Sequence, residues 1–425
     1  MRILVITLNA WNDTGSTGNT ISNVFAGAEG VQFANLYCRD ESINNKLCNN
    51  YYRITENQII QGLFGKRVGI PFHLEIPVQT INQSFNPLSN GGLGNFLRKY
   101  RPSSLMLARE LIWALPLWKN KVLNAWLTDF GPDVIYMHGH ANIYMHRIME
   151  YCAKVTGAKV VMFYGDDMYG RKLFAPIGYL YETLYRRRLR RSVALASLLF
   201  GGSIKLCDEY AAIFGKKFVP MFKQCDLSGL RGKKHLNSPL TIVYAGNLLF
   251  GREKAMCELV EVIKRVNNQL TGNQLKLVIY SNTLPGKNSM SLLDDKVNSI
   301  YIGCKPYSEV CAAMNEADMS LFLESFENDN IKKTRLSFST KIIDCMQSDS
   351  AMLAIGPSEI ASMEYIRNNQ LGLTATSMEE AYMVLCSICS NPQTILHSIK
   401  VKNLFANKHH VNTSNKYLQQ IKGII

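Results

Sequence analysis

The C-terminal third of this 425-residue chain holds a compact group of residues that could bind a nucleotide. Ser339 or Thr340 is a favourable N-cap, so the sequence predicts a helix that begins there with its amide groups directed at a phosphate. Lys341 adds a positive charge at the same place. Asp344 follows one turn later, where its carboxylate could accept hydrogen bonds from both ribose hydroxyls. The alternative for Asp344 is an acid that only interacts favourably with the helix dipole.

A second pair of candidate residues, Arg252 and Lys254, follows the apolar run 240–245 and the sequence Ala245-Gly246-Asn247. A fixed guanidinium and an ammonium at this position could offset the negative charge of a diphosphate leaving group. The start of a surface helix would explain the two residues equally well.

The N-terminal half holds further candidates, each placed directly after an apolar run. A polar loop, 9–19, contains Gly-Ser-Thr-Gly, whose backbone N–H groups could face sugar or phosphate oxygens; a tight turn that needs glycine is the alternative. His138 could position a sugar or developing charge, and Asp166 could bind sugar hydroxyls. A histidine satisfied by backbone and a solvated turn are their alternatives. The candidates of this half are Asp13, Gly15, Ser16, Thr17, Gly18, His138 and Asp166.

The hydrophobic pattern predicts the elements that would position these residues. Short apolar runs alternate with helical segments, which is typical of parallel sheets with helices on both faces. Strands are predicted at 3–8, 31–37, 133–137, 159–163, 197–201, 240–245, 275–280, 299–303, 318–323 and 351–355, and helices include 104–128 and 143–156. The predicted fold class is α/β, with two Rossmann-like doubly wound domains facing a cleft.

The predicted domain boundaries follow from the same alternation and from a polar, basic interval. The first domain covers 1–219, and 220–239 is interpreted as a linker because it is polar and is bounded by prolines. The second domain covers 240–405. A C-terminal helix within 406–425 is expected to pack back on the first domain.

Composition excludes several classes of protein. Hydrophobic residues make up 47% and charged residues 19%, which argues against disorder, and the net charge of +14 suits an anionic partner. The only dense basic run is 186–191, without a zinc finger or RNA-binding signature, so we expect no nucleic acid partner. Among the eleven cysteines, Cys386 and Cys389 form an isolated pair, and Asp166 and Asp167 are consecutive, so no metal site is predicted. No apolar run reaches the ~20 residues of a membrane span.

Several motifs, and the order in which they occur along the chain, resemble those of the GT-B glycosyltransferases of family 4. In the second half they are YAGNLLFGREK, SIYIGCKPYSEVCAAMNEADMSLFLES and FSTKIIDCMQSDSAMLAIGPSE; in the first half they are GSTGN and DVIYMHGHAN. The family shows two glutamates separated by seven residues, and here the positions hold Leu336 and Asp344.

The resemblance implies a role for each candidate residue. It implies that His138 is catalytic, lying near the transferred sugar, and that Asp344 binds the donor ribose. The residues implied to bind the donor diphosphate are Gly18, Arg252, Lys254, Ser339, Thr340 and Lys341. Those implied to bind the acceptor or the sugar are Asp13, Gly15, Ser16, Thr17 and Asp166.

The resemblance also implies a retaining, metal-independent transfer of a hexosyl group from a nucleotide-sugar, with UDP as the default base, to a glycan or a lipid-linked glycan in cell-surface polysaccharide biosynthesis. The nucleotide-sugar is a substrate, so no cofactor is expected. The basic, aromatic stretches 96–121 and 175–192 fit an anionic membrane surface, where basic side chains add affinity. We therefore expect a cytoplasmic protein, peripheral on the inner face of the plasma membrane. A packed helix with a solvated basic face is the alternative.

Two other functions remain open from the sequence. The replacement of the family's first glutamate by Leu336 is compatible with a degenerate relative that binds a sugar or nucleotide without transferring it. A nucleotide-sugar epimerase of the same fold would need no membrane-facing basic helix.

Overall fold

The computed structural model describes residues 1–74, 103–170, 176–269 and 274–425, and it divides the chain into two compact units. The first unit comprises Met1–Met221 and Ser414–Ile425, and the second comprises Phe222–Thr413. Within the described residues, no helix combines the length and apolar character that a membrane span requires.

The first unit is built on an eight-stranded sheet of order β4-β3-β2-β1-β5-β6-β7-β8. Neighbouring strands are parallel except β3 and β4, which pair antiparallel. The strands are β1 Arg2–Thr7, β2 Gln32–Tyr37, β3 Asn50–Arg53, β4 Ile70–His73, β5 Val134–His138, β6 Lys159–Tyr164, β7 Leu198–Gly201 and β8 Val219–Pro220. The helices are α1 Ser16–Val24, α2 Glu56–Gly62, α3 Ser103–Ala114, α4 Lys121–Phe130, α5 Ile143–Thr156, α6 Pro176–Leu195 and α7 Ile204–Phe214.

The second unit has a six-stranded, all-parallel sheet of order β11-β10-β9-β12-β13-β14. Its strands are β9 Leu240–Ala245, β10 Leu275–Tyr280, β11 Ser299–Gly303, β12 Met319–Leu323, β13 Ala351–Ile355 and β14 Leu373–Ala375. Its helices are α8 Arg252–Gln269, α9 Lys287–Leu293, α10 Tyr307–Glu316, α11 Asn328–Thr334, α12 Lys341–Met346, α13 Ala361–Asn368, α14 Met378–Ser390 and α15 Gln393–His409. The last helix of the chain, α16, spans Thr413–Lys422.

The predicted fold class is confirmed, and all ten predicted strands are present. The predicted helix 104–128 is wrong as a single element, because it is two helices, α3 and α4, separated by a turn at Pro116. Proline lacks the N–H that a helix interior needs, which explains the break.

The segment 220–239, interpreted as a linker, belongs from Phe222 onward to the second unit. Cys225 lies in that unit's core, and the backbone N–H groups of Arg231 and Gly232 donate to the Asp349 carboxylate at 2.8 and 3.0 Å. At the other end of the chain, Tyr417, Leu418 and Ile421 are buried in the core of the first unit. The first unit thus ends at Met221 and resumes at Ser414, whereas the sequence predicts these two boundaries at 219 and 405.

Two fully buried histidines make stability depend on pH. His146, in the first unit, contacts Ser192 Oγ and the His140 carbonyl, and His410, in the second, contacts the Tyr365 hydroxyl. Burial lowers the pKa of each to about 4.

Between pH 6.5 and pH 4 the unfolded chain therefore binds more protons at these histidines, so we expect stability to fall as the pH drops below 6.5. By pH 5 each histidine should cost about 2 kcal/mol of unfolding free energy. Calorimetry at pH 7, 6 and 5 checks this, with His146→Gln expected to lessen the pH dependence of the first unit alone. An unchanged slope in the variant would contradict the assignment.

Candidate active site

The first unit has a cavity of about 560 Å³ at the carboxyl edge of β1, β2, β5 and β6, which we call the first-unit cavity. In parallel sheets this edge collects the loops that follow the strands, and it is where α/β folds bind ligands. Of the predicted residues, Gly15, Ser16, Thr17, Gly18, His138 and Asp166 line the cavity. The structure thus brings together residues that lie up to 151 positions apart in the sequence.

The wall formed by the loop after β1 is fixed by its contacts with the loop after β2. The Asn12 amide donates to the Ser42 carbonyl at 3.0 Å, and the Asp13 N–H donates to the Asn44 carbonyl at 2.8 Å. The Asp13 carboxylate accepts hydrogen bonds from Ser22 Oγ and Asn45 Nδ2, at 2.6 and 2.9 Å, and it does not line the cavity. Asp13 therefore helps to hold the two loops together, and its ligand-binding role stays a prediction.

Gly18 lies in the first turn of α1, tightly packed against the loop that precedes the helix. A Cβ at this position would lie 2.1 Å from the Asn12 carbonyl oxygen. The glycine is therefore required for packing, whether or not a phosphate approaches it.

His138 ends β5 and faces the cavity beside two aromatic rings. Its Nε2 lies 3.2 Å from the Tyr136 hydroxyl, and its ring centroid lies 4.8 Å from that of Phe163. Burial lowers the pKa of His138 to about 3, so the imidazole is neutral at physiological pH. A neutral imidazole can orient a hydroxyl group but carries no charge to offset a phosphate.

The two consecutive acids after β6 have different surroundings. Asp166 is exposed and lines the cavity. Asp167 accepts hydrogen bonds from the N–H groups of Tyr169 and Gly170 and from the Tyr210 hydroxyl, at 2.8–3.0 Å, and so fixes the turn. Only Asp166 is placed to bind a ligand.

In the second unit, Arg252 opens α8 and forms a buried ion pair that the sequence did not predict. Its guanidinium donates to both carboxylate oxygens of Glu324, just after β12, at 2.7 and 3.0 Å. The two side chains are only 10% and 5% exposed. A third hydrogen bond, 3.0 Å long, runs from Arg252 Nη1 to the Asn247 side-chain oxygen. This bidentate pairing holds the guanidinium in one orientation at the carboxyl edge of the sheet.

Lys341 is the second cation of this cluster. Its Nζ donates to the Tyr244 hydroxyl at 2.7 Å and lies 4.6 Å from the ring centroid. Burial, followed by the nearby Arg252 guanidinium, lowers the pKa of Lys341 to about 8. With Lys223, which lies near Asp344, the region holds three cations against two carboxylates, Glu324 and Asp344, and this excess of one positive charge suits an anionic ligand.

The predicted helix start is correct, because Thr340 is the N-cap of α12, but the side-chain capping expected there is not formed. α12 begins at Lys341, after Thr340, but the Thr340 backbone is itself helical and its side chain makes no capping hydrogen bond. The Ser339 N–H donates to Ser362 Oγ at 3.0 Å and is therefore already used. A phosphate that bound the Ser339 N–H would therefore have to replace the Ser362 hydroxyl.

Asp344 lies within this short helix, largely buried. Burial raises the pKa of its carboxyl group, although Lys223 and Lys341 nearby oppose the rise. A desolvated carboxylate with two cations in its surroundings is a strong acceptor for hydroxyl groups.

Two further positions from the sequence analysis do not contribute a charge to the cluster around Arg252 and Lys341. Lys254 is exposed and contacts Glu327 at 3.3 Å, so it lies on the surface of α8. Leu336, the position of the family's first glutamate, is buried in the second unit. A carboxylate there would need to be desolvated, which explains why an apolar residue fits.

The structure adds residues that sequence reasoning missed. Glu324 and Lys223 were missed because their partners lie 72 or more positions away. Glu41, on the first-unit cavity, lies in the loop after β2, and a position in a loop that follows a strand was a usable signal. Cys386 and Cys389 are partly buried against the core of the second unit, and within the described ranges no group of three or more His, Cys, Asp or Glu side chains could hold a metal ion.

Comparison with known proteins shows the fold. No family model matches the chain, and no curated protein matches its sequence. Among solved structures, HepE from Anabaena in complex with UDP and glucose is similar over the whole of both chains, with 11% identity and a TM-score of 0.62. Sucrose-phosphate synthase from Thermosynechococcus elongatus has 10% identity and a TM-score of 0.60, covering 100% of this chain and 98% of that one.

A third similar structure is the UDP-forming α,α-trehalose-phosphate synthase from Burkholderia xenovorans, in complex with glucose-6-phosphate. It has 10% identity and a TM-score of 0.59, covering 99% of this chain and 100% of that one. With such full coverage, these similarities show that the chain has the two-domain GT-B fold.

Proposed function

We propose that this GT-B chain is a glycosyltransferase that moves a hexosyl group from a UDP-sugar to a glycan or lipid-linked glycan in cell-surface polysaccharide biosynthesis. The observation that carries the proposal is the cluster of Arg252, Lys341 and Asp344 in the second unit. Together with Lys223 and Glu324 it holds three cations and two carboxylates, which leaves one positive charge in excess for a diphosphate, and Asp344 is a carboxylate for ribose hydroxyls. Two of the three similar structures are of proteins described with UDP or as UDP-forming, which supports UDP as the base.

In this proposal transfer is retaining and needs neither a metal ion nor a cofactor. The fixed guanidinium of Arg252 and the ammonium of Lys341 offset the charge of the departing diphosphate. The acceptor hydroxyl attacks from the face that the diphosphate leaves, and the diphosphate takes its proton. The neutral His138 orients the sugar. No protein nucleophile enters the scheme.

The test is thermal stabilisation of the full chain by UDP-, GDP-, ADP- and dTDP-sugars and by the free diphosphates. A ligand at about 100 times its dissociation constant should add about 2.7 kcal/mol to the unfolding free energy. We expect UDP and one UDP-sugar to stabilise the protein, equally in EDTA and in Mg²⁺. If none of these nucleotides stabilises it, the proposal fails.

We propose further that the protein is cytoplasmic and binds the inner face of the plasma membrane through α3 and α6. Part of the predicted surface, 96–102 and 175, lies outside the described residues. In the rest, Trp113 and Trp118 are buried in the first unit, and Arg186 and Arg190 pack on the Tyr169 ring. The two tryptophans are therefore not available to a membrane, and the two arginines are held against Tyr169.

What supports the membrane surface is a continuous exposed stripe on α6. Ile177, Leu180 and Leu184 are exposed at helical spacing, followed by the exposed Arg187 and Arg191. The opposite face, predicted from Tyr181, Tyr185, Leu189 and Val193, is buried. α3 packs beside α6 and adds the exposed Leu105 and Leu111. Exposed leucines flanked by arginines are typical of binding to anionic interfaces.

We expect the full chain to bind vesicles with roughly 30% anionic lipid, which imitate a cytoplasmic leaflet. It should bind pure phosphatidylcholine vesicles weakly. Leu180→Glu with Leu184→Glu should lower binding about tenfold, because two apolar contacts become anionic. Cosedimentation measures this. The matched control is Leu404→Glu, an exposed leucine of the second unit. Equal binding by the double variant and this control would contradict the assigned surface.

A further inference from the structure

The first-unit cavity has a carboxylate that none of the preceding arguments uses. Glu41 follows β2, is partly buried and lines the cavity. Its carboxylate makes no hydrogen bond or ion pair with any residue that the structure describes. Burial raises the pKa of Glu41, with Arg39 opposing the rise. A partly desolvated carboxylate facing an open space is poised to accept hydrogen bonds from a ligand.

The position of Glu41 is fixed by the loops that carry it. The next residue, Ser42, accepts a hydrogen bond from the Asn12 amide at 3.0 Å. Asn44 accepts from the Asp13 N–H, and Asn45 donates to the Asp13 carboxylate, so the loop after β2 is tied to the glycine loop after β1. Glu41 itself takes no part in these contacts. Replacing it should therefore leave the loops in place.

The charges around the cavity differ from those around Arg252 and Lys341. Glu41 and Asp166 both line the cavity, and no lysine or arginine is among its described lining residues. Arg39 is not among the lining residues; its guanidinium donates to the Asn9 side-chain oxygen at 3.2 Å and offsets part of the negative charge of Glu41. His138 is neutral at physiological pH. The starts of α1 and α5 both border the cavity, and the partial positive charge of a helix start can interact with hydroxyl oxygens as well as with an anion.

We infer that the first-unit cavity binds an uncharged sugar end of the acceptor, with Glu41 accepting hydrogen bonds from its hydroxyl groups, and that it disfavours the same sugar carrying a phosphate. The inference rests on the proposed glycosyltransferase function and goes beyond it by assigning the acceptor's chemical class. The Glu41 carboxylate would repel a phosphate dianion across a cavity of this size, whereas sugar hydroxyls can donate to it.

The experiment compares neutral sugars with their phosphates on the full chain saturated with UDP. Saturation-transfer difference NMR measures binding of glucose, mannose and N-acetylglucosamine and of the 6-phosphate of each. We expect at least one neutral sugar to bind and its phosphate to bind roughly tenfold or more weakly, because of like-charge repulsion. Tighter or equal binding of the phosphates, or no binding of any of these sugars, overturns the inference.

Variants at position 41 test the assigned residue. Glu41→Gln should weaken binding of the neutral sugar by roughly tenfold, as expected for the loss of a hydrogen bond to a charged group. Glu41→Lys should reduce or reverse the preference for the neutral sugar over its phosphate. Glu29→Gln, the same change at an exposed position of the first unit, is the control and should behave as the wild type. Unchanged binding in Glu41→Gln overturns the role of this residue.

The same samples separate this inference from the proposed function. UDP binding reports on the second unit, and the sugars report on the first. If UDP binds and the phosphates are preferred, only the acceptor class is wrong. If UDP and UDP-sugars do not bind, the proposed function fails, whatever the sugars do.

Discussion

Replacing Arg252 with alanine is expected to lower the unfolding free energy of the second unit by about 3–5 kcal/mol. The change removes the guanidinium that donates to both oxygens of Glu324 and leaves that carboxylate buried without its cation. For a unit of this size the transition midpoint should fall by roughly 10 °C. Calorimetry of the full chain measures the shift.

A comparison with Arg265 distinguishes the buried ion pair from an ordinary surface ion pair. Arg265, on the same helix, makes two contacts of similar length with Glu379, but both side chains are more than half exposed. Arg265→Ala should therefore change the midpoint little, because solvent screens the pair. If the two alanine variants lose the same stability, burial is not what makes the Arg252 pair strong.

The double variant Arg252→Met with Glu324→Leu separates the structural role of Arg252 from its role toward a ligand. Replacing a buried ion pair by apolar residues of similar volume is often neutral in stability. We expect this variant to recover much of the midpoint lost in Arg252→Ala while failing to bind UDP. A variant that recovers stability and binds UDP as the wild type does would remove Arg252 from the proposed diphosphate site.

The sequence predicted the central strands of both sheets because those strands are buried on both faces. The run AMLAI is apolar throughout and LTIVYA is apolar except for Thr241, so both can be recognised as strands without knowledge of their neighbours. The four missed strands, β3, β4, β8 and β14, have two to four residues and lie toward the sheet edges. Their pairing depends on the adjacent strand, and β4 and β8 also contain proline. A local pattern does not contain that information.

The site divides in the same way. Residues such as His138 and Asp166 could be predicted because they directly follow strands, and the topology brings strand ends to one edge. The electrostatic partners could not, since Glu324 meets Arg252 only after β9 and β12 pair. Asp13 shows the opposite case. Its place in the loop favoured ligand binding, but Ser22 and Asn45 both donate to its Oδ1 and the residue does not line the cavity.

Replacing Asp344 tests the proposed donor site most directly. Asp344→Ala should weaken UDP binding roughly 10- to 100-fold, the range expected for losing hydrogen bonds to a charged carboxylate. The folded protein should lose little stability, because removal of a buried carboxylate also removes the free-energy cost of its desolvation. Titration calorimetry with UDP measures the affinity, and a thermal scan without ligand measures the stability.

Asp349 supplies the matched control, five residues further along the chain. Its carboxylate accepts hydrogen bonds from the Arg231 and Gly232 N–H groups, so Asp349→Asn should lower stability and keep UDP affinity. The two variants thus have opposite expected outcomes on the two measurements. If Asp344→Ala binds UDP as the wild type does, Asp344 does not bind the ribose, and its burial between Lys223 and Lys341 serves only to balance their charge.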